Sequence, residues 1–340
     1  MLILSFLLQL FGATFLLLFA VRMVRTGIER AFGSLFRRLL TGGQSPLRLV
    51  PLGTALAIVL QSSAAVTLLA AGFAANGAIA FLPAVAIVLG GDLGSALLIQ
   101  LLSLEVDWLV PVFLTLGGVL FLKTERRSLK QAGRIILGVA FILIALRFLR
   151  EAIQPIQDSG VLPAVSIWLE SDPLTAFFLG AALAFVMHSS VAAVLMVVTV
   201  VGMSALPFGV GAAIVLGANL GSALIPVWLG RGMAPAARRV IWANLALRGT
   251  AALITLAAIS FLTDALPPQG WGPGQALVTL HIVFNLIVVL ALPIVTLLQP
   301  LLNAIAPDAP PDAAPPRHIS ALDATALASP ARSMASLRRE

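Results

Sequence analysis

The chain has 340 residues, 60% of them hydrophobic and 10% charged, with a net charge of +7 and a mean hydropathy of +1.06. A soluble protein of this size cannot hide so much apolar surface, so the composition points to an all-α polytopic membrane protein. Cysteine is absent, which excludes disulfides and thiolate metal sites. The basic residues gather in short loops and the tail, a placement that sets membrane orientation rather than nucleic-acid binding.

Residues 2–21 form a first apolar segment with no basic residue ahead of it. A signal peptide carries its positive charge before the apolar run, so an uncleaved span with its N-terminus outside is expected. Arg22, Arg25, Arg30, Arg37 and Arg38 follow, and Ile28, Phe32, Leu35, Phe36 and Leu39 recur at helical spacing. That pattern predicts an interfacial amphipathic helix over Thr26–Leu40. Residues 46–76 are apolar but interrupted by Gln61-Ser62-Ser63. Each half falls short of the roughly 20 residues a crossing needs, so a re-entrant hairpin with the serines at its tip is expected. Residues 78–102 follow, with a break expected at Gly90-Gly91-Asp92-Leu93-Gly94, and then a span over 108–122. Ile135–Leu149 predicts another span and 150–172 an amphipathic stretch. Residues 173–204 predict a second hairpin with His188-Ser189-Ser190 at its tip, and 207–229 a helix broken at Gly217-Ala218-Asn219-Leu220-Gly221. Val240–Leu262 and 275–299 complete the membrane part. A tail over 307–340, rich in Pro, Ala and Ser, is expected to be disordered and cytoplasmic.

Part of this chain occurs twice. AIVLGGDLGSALL (86–98) matches AIVLGANLGSALI (213–225) at ten of thirteen positions, at an offset of 127. LGTALAIVLQSSAAV (52–66) matches LGAALAFVMHSSVAA (179–193) at nine of fifteen, at the same offset. Two apolar helices share Leu, Ala and Val by chance, but not Ser62-Ser63 against Ser189-Ser190 in one register with Gly94-Ser95 against Gly221-Ser222. The chain therefore divides into a first repeat (1–131), a second repeat (132–262) and an additional helix. Three crossings per repeat, with hairpins returning to their own side, invert the second copy. The basic clusters 22–38, 123–134 and 231–239 then fall on one face, which the positive-inside rule makes cytoplasmic. Glu105, Asp107, Glu151, Asp158, Glu170, Asp172 and Asp264 fall on the other.

Asp92 is the only charged residue between Arg48 and Glu105, and His188 the only titratable one between Pro173 and Gly230. An ionisable group at membrane depth is costly and marks a functional candidate. Two tips and two glycine-flanked segments point to one central cavity. The second helix of each hairpin would begin at a serine pair, and two helix N-termini with four hydroxyls suit a small oxyanion. The expected anion site is Gln61, Ser62, Ser63, His188, Ser189 and Ser190. No Arg or Lys lies in either core stretch, so charge balance must come from elsewhere. Gln61, Asp92, Ser95, Asn219 and Ser222 are hard oxygen donors suited to Na⁺ as a coupling ion.

These motifs resemble the type II sodium/phosphate cotransporter family, whose hallmark is a duplicated Gln-Ser-Ser-Ser hairpin followed by Gly-Ala-Asn-Ile-Gly-Thr. The matching residues are Gln61-Ser62-Ser63, Ser189-Ser190, Gly90, Asp92, Gly94 and Gly217-Ala218-Asn219-Leu220-Gly221. Arg238-Arg239 through Asn244, and His281-Ile282-Val283-Phe284-Asn285, also look like family features. The resemblance covers about residues 1–300. It implies symport of inorganic phosphate with Na⁺ by alternating access in a bacterial inner membrane, with no bound cofactor and no enzymatic activity. The departures are Ala64 and Val191 for the third serines, His188 for the second Gln, Asp92 for the first Asn, and Ser95 and Ser222 for Thr. They leave open a cation- or proton-coupled carrier of another small anion, or a non-transporting sensor or scaffold. Some bacterial relatives append a soluble regulatory domain, for which this tail is expected to be too short. An intramembrane hydrolase with His188 as base is disfavoured, because its nearest serines are sequence neighbours and a hydrolase needs no duplicated site.

Overall fold

The computed structural model describes residues 2–39, 46–104, 106–157, 161–261 and 270–308. Among them every regular element is helical. Six helices are long and apolar enough to cross a membrane: Leu4–Gly27, Phe81–Leu102, Arg127–Gln154, Phe208–Leu229, Pro235–Ile259 and Pro273–Leu290. The chain is an all-helical polytopic membrane protein.

The first helix, α1, runs unbroken over Leu2–Leu39, so the amphipathic stretch expected from Thr26 continues the first span. After residue 45, α2 (Pro46–Leu60) and α3 (Ser63–Ala75) make the first hairpin around Gln61-Ser62. Then follow α4 (Phe81–Leu102), α5 (Val110–Lys123) and α6 (Arg127–Gln157). Helix α5 has 14 residues, about 21 Å at the usual rise per residue, shorter than the span expected over 108–122. Helix α6 extends the expected 135–149 segment in both directions. The second half contains α7 (Val161–Ser171), α8 (Pro173–Met187), α9 (Ser190–Gly202) and α10 (Phe208–Leu229). It is followed by α11 (Pro235–Phe261), α12 (Pro273–Leu290) and α13 (Gln299–Ile305). The helix expected over 275–299 ends at Leu290, where Pro293, which has no N–H to donate, opens a 3₁₀ turn over Leu292–Leu298. The tail from 309, Glu105, Asp158 and Asp264 lie outside the described residues.

The three helices α2, α3 and α4 have 15, 13 and 22 residues, and so do α8, α9 and α10. Each hairpin turns at a non-glycine residue in the left-handed region, Gln61 (φ 49°) and His188 (φ 50°). Such a conformation is uncommon for these residue types and persists where surroundings enforce it.

The glycine breaks expected in α4 and α10 are not there, since both helices are continuous through Gly90–Gly94 and Gly217–Gly221. Their glycines admit a neighbouring backbone. A Cβ on Gly90 would lie 2.1 Å from the carbonyl oxygen of Val50, and one on Gly94 2.3 Å from that of Thr54. The equivalent approaches are Gly217 to Phe177 O at 1.7 Å and Gly221 to Ala181 O at 2.1 Å. Small residues four apart let helices meet at backbone distance, the packing that holds helices together in lipid. Because Val50–Gly90 and Thr54–Gly94 advance together, α2 and α4 run parallel, as do α8 and α10. Thr54 Oγ1 adds a bond to Gly90 O at 3.0 Å.

The bases of the two hairpins lie against different neighbours. Gly72 near the end of α3 approaches Met233 just beyond α10, while Gly202 at the end of α9 packs on Gly274 at the start of α12. Leu102 at the end of α4 shares a hollow with Gly202 and Gly274.

Candidate functional site

Ser62 and Ser189 begin the second helix of each hairpin as N-caps in extended conformation. The Ser62 hydroxyl accepts from the Ala65 amide at 3.1 Å, and the Ser189 hydroxyl from the Ala192 amide at 3.2 Å. Short hydroxyl side chains satisfy one of the four orphan amides that every helix start leaves. The amides of Ser63 and Ala64, and of Ser190 and Val191, are the next in line at each N-terminus. They carry the positive end of the helix dipole.

The two tips open into one cavity of about 120 Å³, lined by Gln61, Ser62, Ser63, His188, Ser189 and Ser190 together with Ser222. All six residues expected at the anion site are therefore in one place. Ala64 and Val191, which stand where the family motif carries a third serine, also face this cavity. Its charge comes from α1: Leu18, Val21, Arg22 and Arg25 line it. Their spacing of three, four and seven residues is one face of a helix. Sequence reasoning treated these arginines as topology signals, although the i, i+3 pair at the end of an apolar span was visible. His188 is exposed, and its Nδ1 lies 3.1 Å from Val186 O; it does not reach across to the other tip.

The residues expected around a cation fall into two groups. Ser222 touches the cavity and donates to Asn219 O at 2.9 Å. Asp92, Asn219 and Ser95 are buried and do not line the cavity, and the first two belong to one polar cluster. There Asp92 forms an ion pair with Arg248 of α11, Nη1 to Oδ1 at 2.6 Å, and Arg248 Nη2 donates to Asn219 Oδ1. The Asn219 amide nitrogen lies 2.8 Å from Val215 O and 3.1 Å from His281 Nδ1. Asn285 donates to His281 O at 2.8 Å, while Ser63 and Asn244 lie against Asp92. Gln61 Oε1, Asp92 Oδ2, Ser95 Oγ, Asn244 Oδ1, Arg248 Nε and Asn285 Oδ1 are buried without a hydrogen-bond partner among the described residues. Arg248 was missed by sequence reasoning. It is the only charged residue between Val240 and Leu262, so the burial argument that singled out Asp92 applied equally to it.

A second hollow of about 320 Å³ opens between the ends of α4, α6 and α9 and the start of α12, with Arg150, Thr199 and Gln275 in its wall. At its edge Gln100 and Gln275 exchange amide hydrogen bonds, at 3.2 and 2.8 Å.

Fold and site together define a polytopic helical membrane protein in which two helical hairpins meet tip to tip around a small polar cavity. The chain belongs to the Na⁺/Pi-cotransporter family, whose model matches residues 16–151 and 159–290. It is 32% identical over 98% of its length to the protein of Escherichia coli K12 named "Putative inorganic phosphate export protein YjbB". The identity is the same to the protein of that name from Salmonella typhimurium LT2. The chain spans 62% of the length of these relatives. It is also 24% identical over 88% of its length to YqeW of Bacillus subtilis, an uncharacterized protein of which it covers 98%. No solved structure matches.

Proposed function

We propose that this chain carries inorganic phosphate across a bacterial inner membrane by alternating access at the tip cavity, with Na⁺ as a coupling ion. The observation that carries this reading is the convergence of two helix N-termini and two arginines on one cavity sized for a small oxyanion. Two guanidiniums balance the two charges of a phosphate dianion, and two dipole ends of roughly half a charge each add to the attraction. The arginines also offer the forked donors that phosphate oxygens accept well. They compensate for Ala64 and Val191, which bring methyl groups where hydroxyls would donate. Family membership supports phosphate as the solute.

The two helix triplets are read as inverted repeats. The end of α10 lies beside the base of the first hairpin, and the end of α4 beside the base of the second, which is what an inverted pair requires. The 320 Å³ hollow at the base of the second hairpin then faces the side opposite the basic clusters, as an outer vestibule. Gln61 Oε1 and Ser95 Oγ, hard oxygens without a protein partner, are the donors proposed for Na⁺. Net direction follows from the gradients; the name of the Escherichia coli relative refers to export.

The test is labelled-phosphate counterflow in proteoliposomes, with and without a Na⁺ gradient. Saturable flux is expected, accelerated by Na⁺. Arg22→Ala and Arg25→Ala should each raise the half-saturating phosphate concentration about 10-fold or more, the effect of losing a hydrogen bond to a charged group. No flux from folded protein would reject phosphate as the solute, and equal flux without Na⁺ would reject the coupling ion.

A further inference from the structure

Asp92 and Asn219 occupy equivalent places in the two copies, 127 residues apart, and a single guanidinium joins them. Arg248 is 2% exposed, Asp92 2% and Asn219 0%. A carboxylate oxygen and an amide oxygen converging from two helices in a buried interior are donors of the kind a hard cation takes. A buried carboxylate there requires a positive partner. In a coupled carrier that partner can be a diffusible ion, taken up and released in each cycle. Here it is a side chain anchored on a 27-residue helix, and arginine does not lose its charge in proteins.

We infer that Arg248 is a tethered replacement for a coupling cation: its guanidinium holds the place between the two copies where a Na⁺ ion would otherwise bind. The inference rests on the carrier reading above and narrows it. Na⁺ is left the buried oxygens without a partner outside the Arg248–Asp92–Asn219 group, Gln61 Oε1, Ser95 Oγ, Asn244 Oδ1 and Asn285 Oδ1. Asp92 Oδ2, also without a partner, belongs to a carboxylate whose charge the guanidinium already balances, so the carrier moves one Na⁺ fewer per cycle than its oxygen donors would otherwise admit. Arg248 also ties α4 to α10 through α11 by a charge that cannot diffuse away.

The experiment compares thermal unfolding of the purified full chain in NaCl and in KCl at equal ionic strength. Arg248→Ala exposes Asp92 Oδ1 and Asn219 Oδ1 to a diffusible ion, and Na⁺ at about twenty times its Kd should raise its Tm by about 4 °C over K⁺. Asp92→Asn/Arg248→Ala should lose that difference. The inference is overturned if Arg248→Ala shows no larger Na⁺-specific shift than the unmodified chain. Should Arg248→Ala not fold, Arg248→Gln and Arg248→Lys decide: the neutral Gln should gain the Na⁺-specific shift and the charged Lys should not, and equal shifts in the two overturn the inference. The readout needs no transport. Na⁺-specific stabilisation of Arg248→Ala together with absent phosphate flux would therefore reject the carrier reading and leave the cation site standing.

Discussion

Replacing Gly217 by Ala tests whether the glycines of α4 and α10 are packing contacts or hinges. The added methyl would sit 1.7 Å from the carbonyl oxygen of Phe177 on α8. Ordinary non-bonded heavy atoms keep roughly 3.5 Å, so the pair would be about 1.8 Å too close. Backbone cannot rotate away as a side chain can, and Phe177 itself is buried. The helices must therefore separate along their line of contact, which also loosens the Gly180–Ile214 and Gly221–Ala181 approaches. Overpacking of this kind costs about 3 kcal/mol or more. At roughly 2 °C or more per kcal/mol for a large domain, Tm should fall by about 6 °C. The control is Gly209→Ala on the same helix, where a Cβ meets nothing within 4 Å; it should melt at or slightly above the unmodified protein. Equal Tm for Gly217→Ala and Gly209→Ala would refute the close-packing account.

Two further outcomes are expected. Ser62→Ala and Ser189→Ala each remove an N-cap, costing about 1 kcal/mol, and should impair phosphate flux; the Gly variants, which retain most of the cap energy, should lose flux with less change in Tm. Near-normal flux in both Ala variants would remove the tips from the site. At the bend between α7 and α8, bonds from Thr175 hold the Asp172 carboxyl below the usual carboxylate range. Its contribution to stability is thus present above that range and lost as pH falls through the folded value. Asp172→Asn should flatten the acid-side decline of Tm below about pH 4, and an unchanged decline would exclude the cap.

Apolar composition, the offset of 127 and the interrupted segments at Gln61 and His188 were legible in the chain because they are local. A hairpin too short to cross, and a serine before a helix start, announce themselves within a few residues. The tip residues were likewise found together, since duplication makes two matching apices meet. Glycine spacing was ambiguous by its nature. Gly90–Gly94 and Gly217–Gly221 permit either a bend or a backbone contact, and only the position of α2 and α8 against them decided for contact. The charges were the largest gap. Arg22 and Arg25 looked like orientation signals, and Arg248 went unnoticed, because nothing in linear order links residue 248 to residue 92. Sequence alone determined the helices, the repeat and the polar tips, which follow from short-range pattern. Tertiary structure alone decided which charge neutralises which, because an ion pair in lipid is chosen by proximity across helices rather than by order along the chain.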